Sequence, residues 1–187
     1  MDFMKENKSL DDSQIDSHIK SHILDPLDKV DQKRPSKPQD IVLYGFGRIG
    51  RLVSRIMAQM TGPGNYYRLR AIVVRKGSDT NDLLKRASLL RRDSVHGSFH
   101  GTIRVDNETE TLVINGNPVK IIYANGPKDI NYSDYDIDKP IIIDNTGVWR
   151  EEKDLSLHLE SGASKVVLTA PGKLSLIHIS EPTRRTT

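Results

Sequence analysis

From residue 41 onward the chain alternates between two apolar patterns. Ile41-Val42-Leu43-Tyr44 is a short unbroken apolar run, the pattern of a strand covered on both faces. Ile49, Leu52, Val53, Ile56, Met57 and Met60 then recur at helical spacing until Thr61-Gly62-Pro63-Gly64 ends the segment. Leu69 to Val74 reads as a second strand. Asp82 to Arg91 reads as a second helix, with Leu83, Leu84, Ala87 and Leu90 on one side. Gly101 to Val105, Thr111 to Ile114 and Val119 to Tyr123 are predicted short strands, with Asn115-Gly116 as a turn between two of them. Pro140 to Asp144 is another buried strand, Leu155 to Leu159 a short helix, and Lys165 to Thr169 a last strand. Strands and helices in alternation predict an α/β fold, a doubly wound and mostly parallel sheet.

The two ends of the chain break this pattern. In the first forty residues Ile15, Ile19, Ile23, Leu24 and Leu27 suggest a short amphipathic helix, which Pro26 limits. Lys33 to Pro38 then reads as an extended linker. Residues 1–40 are therefore expected to form a helical N-terminal arm and linker, packed on the main domain or on a partner subunit. Residues 41–173 are expected to form the α/β domain. Leu174 to Thr187 continues with no turn signal or partner, and it resembles the translation of a sequencing adapter. Residues 174–187 are therefore read as a non-native tail.

Composition narrows the function. The 187 residues hold 28 Lys/Arg and 25 Asp/Glu, a net charge of +3, which argues against a dedicated nucleic-acid-binding tail. Residues 1–40 carry seven Lys/Arg against nine Asp/Glu, which leaves 21 against 16 for the rest. No apolar run approaches the roughly 20 residues that cross a bilayer. The acidic N-terminus, with no signal-peptide pattern, points to a cytoplasmic protein. Cysteine is absent, so the chain has no disulfide, no thiolate metal site and no thiol nucleophile. No metal-ligand spacing occurs. The basic Lys85, Arg86, Arg91 and Arg92 read as a solvated or subunit-facing surface.

Gly45-Phe46-Gly47-Arg48-Ile49-Gly50 fits G-x-G-x-x-G, and it lies where that pattern has meaning, between a buried strand and an amphipathic helix. The first glycine allows a tight turn, the second a close approach to a pyrophosphate, the third close helix–strand packing. Amides at the helix start then face the anion. This is the fingerprint of a Rossmann-type domain binding NAD or NADP. The end of the next strand selects between them. An acid there accepts the ribose 2′-hydroxyl of NAD. Here the strand ends in Arg75-Lys76-Gly77-Ser78, and Asp79 comes a few residues late. Arg75 can pair with a 2′-phosphate, with Lys76 and Ser78 in support, so the local chemistry leans towards NADP or dual use.

With these motifs in place, the chain resembles the phosphorylating glyceraldehyde-3-phosphate dehydrogenases, in an N-terminally extended form. Four segments carry the resemblance in the right order: Tyr44 to Arg51, Arg92-Asp93-Ser94-Val95-His96-Gly97, Asp144-Asn145-Thr146-Gly147-Val148-Trp149, and Lys165 to Pro171. The resemblance spans about residues 41–173. It implies that Arg48 and Ile49 present amides to the pyrophosphate. It places Thr146 and Gly147 by the adenosine and ribose, and Thr169 by the nicotinamide. Arg75 stands where many members have an NAD-selecting Asp, and Asn125 stands where many have a basic residue near the adenine. Asp93 and His96, which suggest an acid–base pair in isolation, fall in a segment that is structural in the family. Trp149 is expected to pack, and His158 to face solvent or cap its short helix.

The resemblance also implies what this chain lacks. The family's nucleophile is a Cys shortly after the Ala-Pro segment, activated by a downstream His. That Cys attacks the aldehyde, hydride passes to the nicotinamide, and phosphate releases the acyl group. This sequence leaves the family pattern at Lys173, before that Cys, so it is expected to bind the dinucleotide without turnover. The full-length family implies an aldehyde-phosphate substrate and a homotetramer. Erythrose-4-phosphate dehydrogenase is a close variant, and a non-catalytic nucleotide- or RNA-binding module is the alternative class.

Overall fold

The computed structural model describes residues 37–60, 65–77 and 81–172. Nearly all of the expected arm and linker, and the whole of 174–187, lie outside the described residues.

The described chain runs β1 (Gln39–Tyr44), α1 (Arg48–Gln59), β2 (Tyr67–Val74), α2 (Asp82–Arg91), β3 (Arg92–Asp93) and β4 (Gly97–Ser98). Three further strands follow: β5 (Ile103–Asp106), β6 (Thr111–Ile114) and β7 (Asn117–Tyr123). The chain then continues through two 3-10 turns, Pro127–Asp129 and Tyr132–Tyr135, into β8 (Ile141–Asp144), α3 (Glu152–Glu160) and β9 (Lys165–Leu168). Seven strands form one sheet in the order β5-β6-β7-β2-β1-β8-β9. The pairs β7–β2, β2–β1, β1–β8 and β8–β9 are parallel. The β5–β6–β7 edge is an antiparallel meander. This is the Rossmann-type α/β fold that the pattern predicts.

The unbroken apolar run in β1 has a direct cause. Ile41 and Leu43 join the core beneath α1 and α2, with Ile72, Leu83, Leu90 and Ile121. Val42 and Tyr44 face the opposite core, with Val73, Ile122, Ile142 and Leu155 of α3. Val42 and Leu43 are both fully buried. Burying one such side chain contributes about 1.5–3 kcal/mol. At the buried start of β1, Asp40 faces its register partner Arg68 on β2, whose Nε and Nη2 donate to Asp40 Oδ1 at 3.0 and 2.8 Å. The pair leaves neither charge uncompensated.

Several elements differ in extent from the sequence pattern. β7 begins at Asn117 because the Asn115-Gly116 turn has φ of 49° and 82°, a two-residue hairpin geometry that carries the ladder up to the Ile114–Asn117 pair. Between β7 and β8 the layer is built from 3-10 turns, which periodicity does not reveal. They bring Ile130, Tyr132 and Ile137 into the second core. Arg55, a charged residue on α1, is buried. Its Nε and Nη2 donate to the Leu90 carbonyl at 3.0 and 2.7 Å, and its Nη1 donates to Gly97 O at 3.0 Å. It thereby satisfies the end of α2. Among the described residues no helix is long and apolar enough to cross a membrane.

The Asp93–His96 segment closes a tight turn between β3 and β4. Asp93 Oδ1 accepts from the amides of Val95 and His96 at 2.9 and 3.0 Å and lies 3.0 Å from His96 Nδ1. The His96 amide first, then that of Val95, holds the Asp93 carboxyl well below the usual carboxylate range. A depressed carboxyl stabilises the fold above its ordinary pKa of 3.8 and loses that contribution as pH falls below it. Asp93→Asn should flatten the acid limb of stability against pH, read from urea unfolding below pH 4. An unchanged limb would place the acid sensitivity elsewhere. Separately, Arg55→Met should cost about 2 kcal/mol, since it strips charge-assisted bonds from two carbonyls, as measured by the same unfolding at neutral pH.

Candidate functional site

The sheet reverses direction of growth at β1. From β1 the chain crosses to β2 on one side, and it later returns to place β8 on the other. Tyr44 pairs with Val73 of β2 and with Asp144 of β8, so the three strands end at one level. A crevice opens there, at the place where parallel sheets hold ligands. It encloses about 330 Å³ and is lined by Gly45, Phe46, Gly47, Arg75, Thr146 and Trp149 among others.

The three glycines of the turn have different surroundings. Gly45 has φ +96°, and a Cβ there would stand 2.8 Å from Thr146 Cγ2. A Cβ on Gly50 would run into the carbonyl oxygen of Gly45. These two contacts press α1 and the Thr146 turn against the end of β1. A Cβ on Gly47, by contrast, would meet no protein atom within 4 Å. The turn is thus close-packed behind and open at the cleft. Gly47 caps α1 without a side-chain bond, and the first turn carries no acid. The first helical bond runs from Arg51 N to Gly47 O at 3.0 Å, which leaves the amides of Arg48, Ile49 and Gly50 without an acceptor one turn back. Together with the helix dipole they offer a cradle for an anion. A dinucleotide pyrophosphate fits this donor set.

Arg51 fixes the turn from behind. Its Nη1 donates to Phe46 O at 3.3 Å, and its Nη2 lies 3.5 Å from Asp93 Oδ2. The structural Asp93 turn is therefore one link from the glycine loop.

At the end of β2, Arg75 is exposed and lines the cleft. Arg86 of α2 lines it too. Its Nη2 donates to the Arg75 carbonyl at 2.9 Å and its Nε to Asp82 Oδ2 at 2.7 Å. Lys76 is placed apart from the cleft. Its ammonium stands 5.8 Å from the Tyr123 ring centroid, over a separate hollow. Ser78 lies outside the described residues. Asn125 lines the cleft where a basic residue was compared.

Across the crevice, Thr146 donates its amide and its hydroxyl to Asp144 Oδ1, both at 2.7 Å. Gly147 follows, 3.8 Å from Ala170 by the Cβ it would carry. Thr169 donates its amide and its hydroxyl to the Asp144 carbonyl at 3.0 and 3.1 Å. Thr146, Gly147 and Thr169 are thus one joined group. Trp149 both lines the cleft and packs on the second core.

His158 does not face solvent. It is 0% exposed, and its Nε2 lies 3.2 Å from Asp144 Oδ2. Its ring meets Tyr44 edge-on, 4.7 Å between centroids. Burial, and then the charge of Asp144, pushes the Tyr44 hydroxyl up to about 12. Burial, then Tyr44 and Asp144, pushes Tyr132 up as well. His158 falls three residues after Leu155, on the buried face of α3, but the partner that draws it inward, Asp144, lies in another segment and leaves no local signal. Arg86 had no local signal either, because its place depends on the tertiary approach of α2 to the end of β2.

The fold and this cleft define a dinucleotide-binding α/β domain. A family model for the NAD-binding domain of glyceraldehyde 3-phosphate dehydrogenase matches residues 39–152. A glyceraldehyde-3-phosphate dehydrogenase-like protein of Pseudomonas aeruginosa is 58% identical over 141 residues, 75% of this chain and 30% of that protein. The glyceraldehyde-3-phosphate dehydrogenase of Thermotoga maritima is 35% identical over 133 residues, 71% of this chain and 37% of its own. A chloroplastic glyceraldehyde-3-phosphate dehydrogenase of Arabidopsis thaliana is 33% identical over 153 residues, 82% of this chain and 34% of its own. The chain belongs to the glyceraldehyde-3-phosphate dehydrogenase family and carries its NAD-binding domain. It spans about a third of the length of the relatives it matches.

The packing behind the turn gives a direct test. Gly50→Ala forces α1 away from β1 and should cost about 1–3 kcal/mol in urea unfolding. Dinucleotide affinity should fall with it, whereas Gly47→Ala should leave stability nearly unchanged and reduce affinity alone.

Proposed function

We propose that the chain holds a nicotinamide dinucleotide across the β1/β8 crevice and takes NADP in preference to NAD. The observation that carries this reading is the glycine turn, close-packed against Thr146 behind and open at Gly47 in front. The amides of Arg48, Ile49 and Gly50 receive the pyrophosphate. Gly45, Phe46 and Gly47 shape the loop around it. Arg75 stands beside the adenosine ribose and pairs with a 2′-phosphate, and Lys76 adds positive charge at longer range. The chemistry of Arg75 supports this choice, because a guanidinium satisfies a phosphate bidentately and gains little from a hydroxyl. Thr146 and Gly147 wall the adenosine side, and Thr169 stands towards the nicotinamide.

When bound, the nicotinamide accepts or gives a hydride. The family places that step in the oxidation of an aldehyde phosphate, within a homotetramer, and we propose the same for the whole protein to which such a domain belongs. The 187 residues contain no cysteine, so this chain alone has no thiol to attack an aldehyde. We therefore expect binding without aldehyde turnover. Phosphorylated aldehydes and dinucleotides are charged and cross membranes poorly, so the reaction belongs in the compartment that makes them, which we take to be the cytoplasm.

The protein carries its own probe. Trp149 is its one tryptophan, and it lines the cleft. Titration with NADP should change its fluorescence saturably, and with NAD more weakly. Arg75→Asp should reverse the order by roughly tenfold or more, since it exchanges a charge-assisted pair for a repulsion. An unchanged ratio would remove Arg75 from the 2′ site. No saturable change with either dinucleotide in the wild type, by fluorescence and by calorimetry, would sink the binding reading itself.

A further inference from the structure

We propose that the buried Asp144–His158 pair is a positioning device for the dinucleotide site, holding the Thr146–Gly147 wall and Thr169 in place from beneath. The inference rests on the dinucleotide reading above and adds two residues to it that line no part of the cleft.

Asp144 ends β8 on the same face as Ile142, turned into the second core, and it is 0% exposed. A carboxylate so placed must have its lone pairs filled. Oδ1 takes the amide and hydroxyl of Thr146, both at 2.7 Å, and Oδ2 has His158 Nε2 at 3.2 Å. The main-chain oxygen of the same residue takes the amide and hydroxyl of Thr169. One residue therefore organises the wall beside the ribose and the strand end beside the nicotinamide. Thr146 in turn touches the position where Gly45 would carry a Cβ, so a shift of Asp144 is felt at the glycine loop.

His158 sets the rotation of that carboxylate. It is fully buried on α3, and its ring is held edge-on by Tyr44. Since Asp144 Oδ2 can only accept, Nε2 carries the proton. Nδ1 is buried with no hydrogen-bond partner. A structural core histidine gains most when both ring nitrogens are satisfied. Here only the one facing Asp144 is, so the ring's polar contact is spent wholly on the carboxylate that holds the cofactor wall. Without His158, Oδ2 is left without a donor at a buried position, and the carboxylate relieves this by rotating away from Thr146.

The test compares His158→Leu, which removes the donor, with His158→Gln, whose side-chain amide reaches the Nε2 position. NADP and NAD affinities of the full chain are read by Trp149 fluorescence, alongside the thermal midpoint. H158L should weaken the preferred dinucleotide by about tenfold, the scale of one lost buried bond to a charged group. H158Q should restore most of it. A lowered midpoint with unchanged affinity in the folded H158L variant would show that the pair only stabilises the core, and would overturn the proposal. A second reading needs no variant. In the wild type, the 15N spectrum of His158 should show the Nε2–H tautomer, and that resonance should move when NADP saturates the site. A resonance that stays fixed while Trp149 reports binding would also overturn the proposal. Failure of the wild type to bind any dinucleotide is a separate result, which removes the site itself rather than its support.

Discussion

The arrangement depends on one close approach. The backbone leaves β1 at Gly45 with no room for a side chain beside Thr146, and the carbonyl of Gly45 leaves none on the helix-borne Gly50. Three segments meet there: the end of the central strand, the first turn of the helix that follows it, and, about a hundred residues further along the chain, the turn after β8. If any one is displaced, the anion cradle and the opposite wall of the crevice no longer share a geometry. The surrounding structure serves this contact. The two cores clamp β1 from both faces, Arg51 ties the loop to the Asp93 turn, and Arg55 locks α1 to the end of α2.

Charge is distributed with the same economy. Behind the crevice the buried carboxyl groups are partnered, Asp40 by Arg68 at the far end of β1 and Asp144 by the Thr146 turn above it. At the rim Arg75 is exposed and Arg86 is held by Asp82 and by the Arg75 carbonyl. The cleft therefore presents amides and guanidinium groups on the side of α1 and β2, while the Asp144 carboxyl group is turned away and occupied. That polarity suits a polyanion, and it arises from strand register: β8 alternates, so Asp144 follows Ile142 into the core rather than into the crevice.

Much of this is legible in the sequence because it repeats at short range. The apolar run of β1, the helical spacing after Gly45 and the glycine positions themselves are local signals, and each corresponds to an observed element. The boundaries of α2 agree residue for residue with the pattern from Asp82 to Arg91. What escaped the sequence is set by tertiary geometry. The 3-10 turns after β7 have no period long enough to read. Arg55 and His158 are polar residues on helix faces, and local preference puts such residues in water. Both are buried because a specific acceptor waits for them in another segment, the Leu90 carbonyl for one and the Asp144 carboxylate for the other. Lys76 shows the converse. Next to Arg75 in sequence, it turns the other way in the strand-end geometry and rests on Tyr123.

The position of β1 has a consequence for how the protein is made. Its two neighbours are β2, which begins 23 residues after Tyr44, and β8, which begins 97 residues after it. During synthesis at about 5–20 residues per second, one edge of this central strand therefore waits about 5–20 s for its partner. Through that interval the nascent chain displays an open, flat β-edge beside an unfinished core, the kind of surface that recruits stray strands. A ribosome pausing between Tyr123 and Ile141 would prolong that exposure, and one pausing after Leu168 would not.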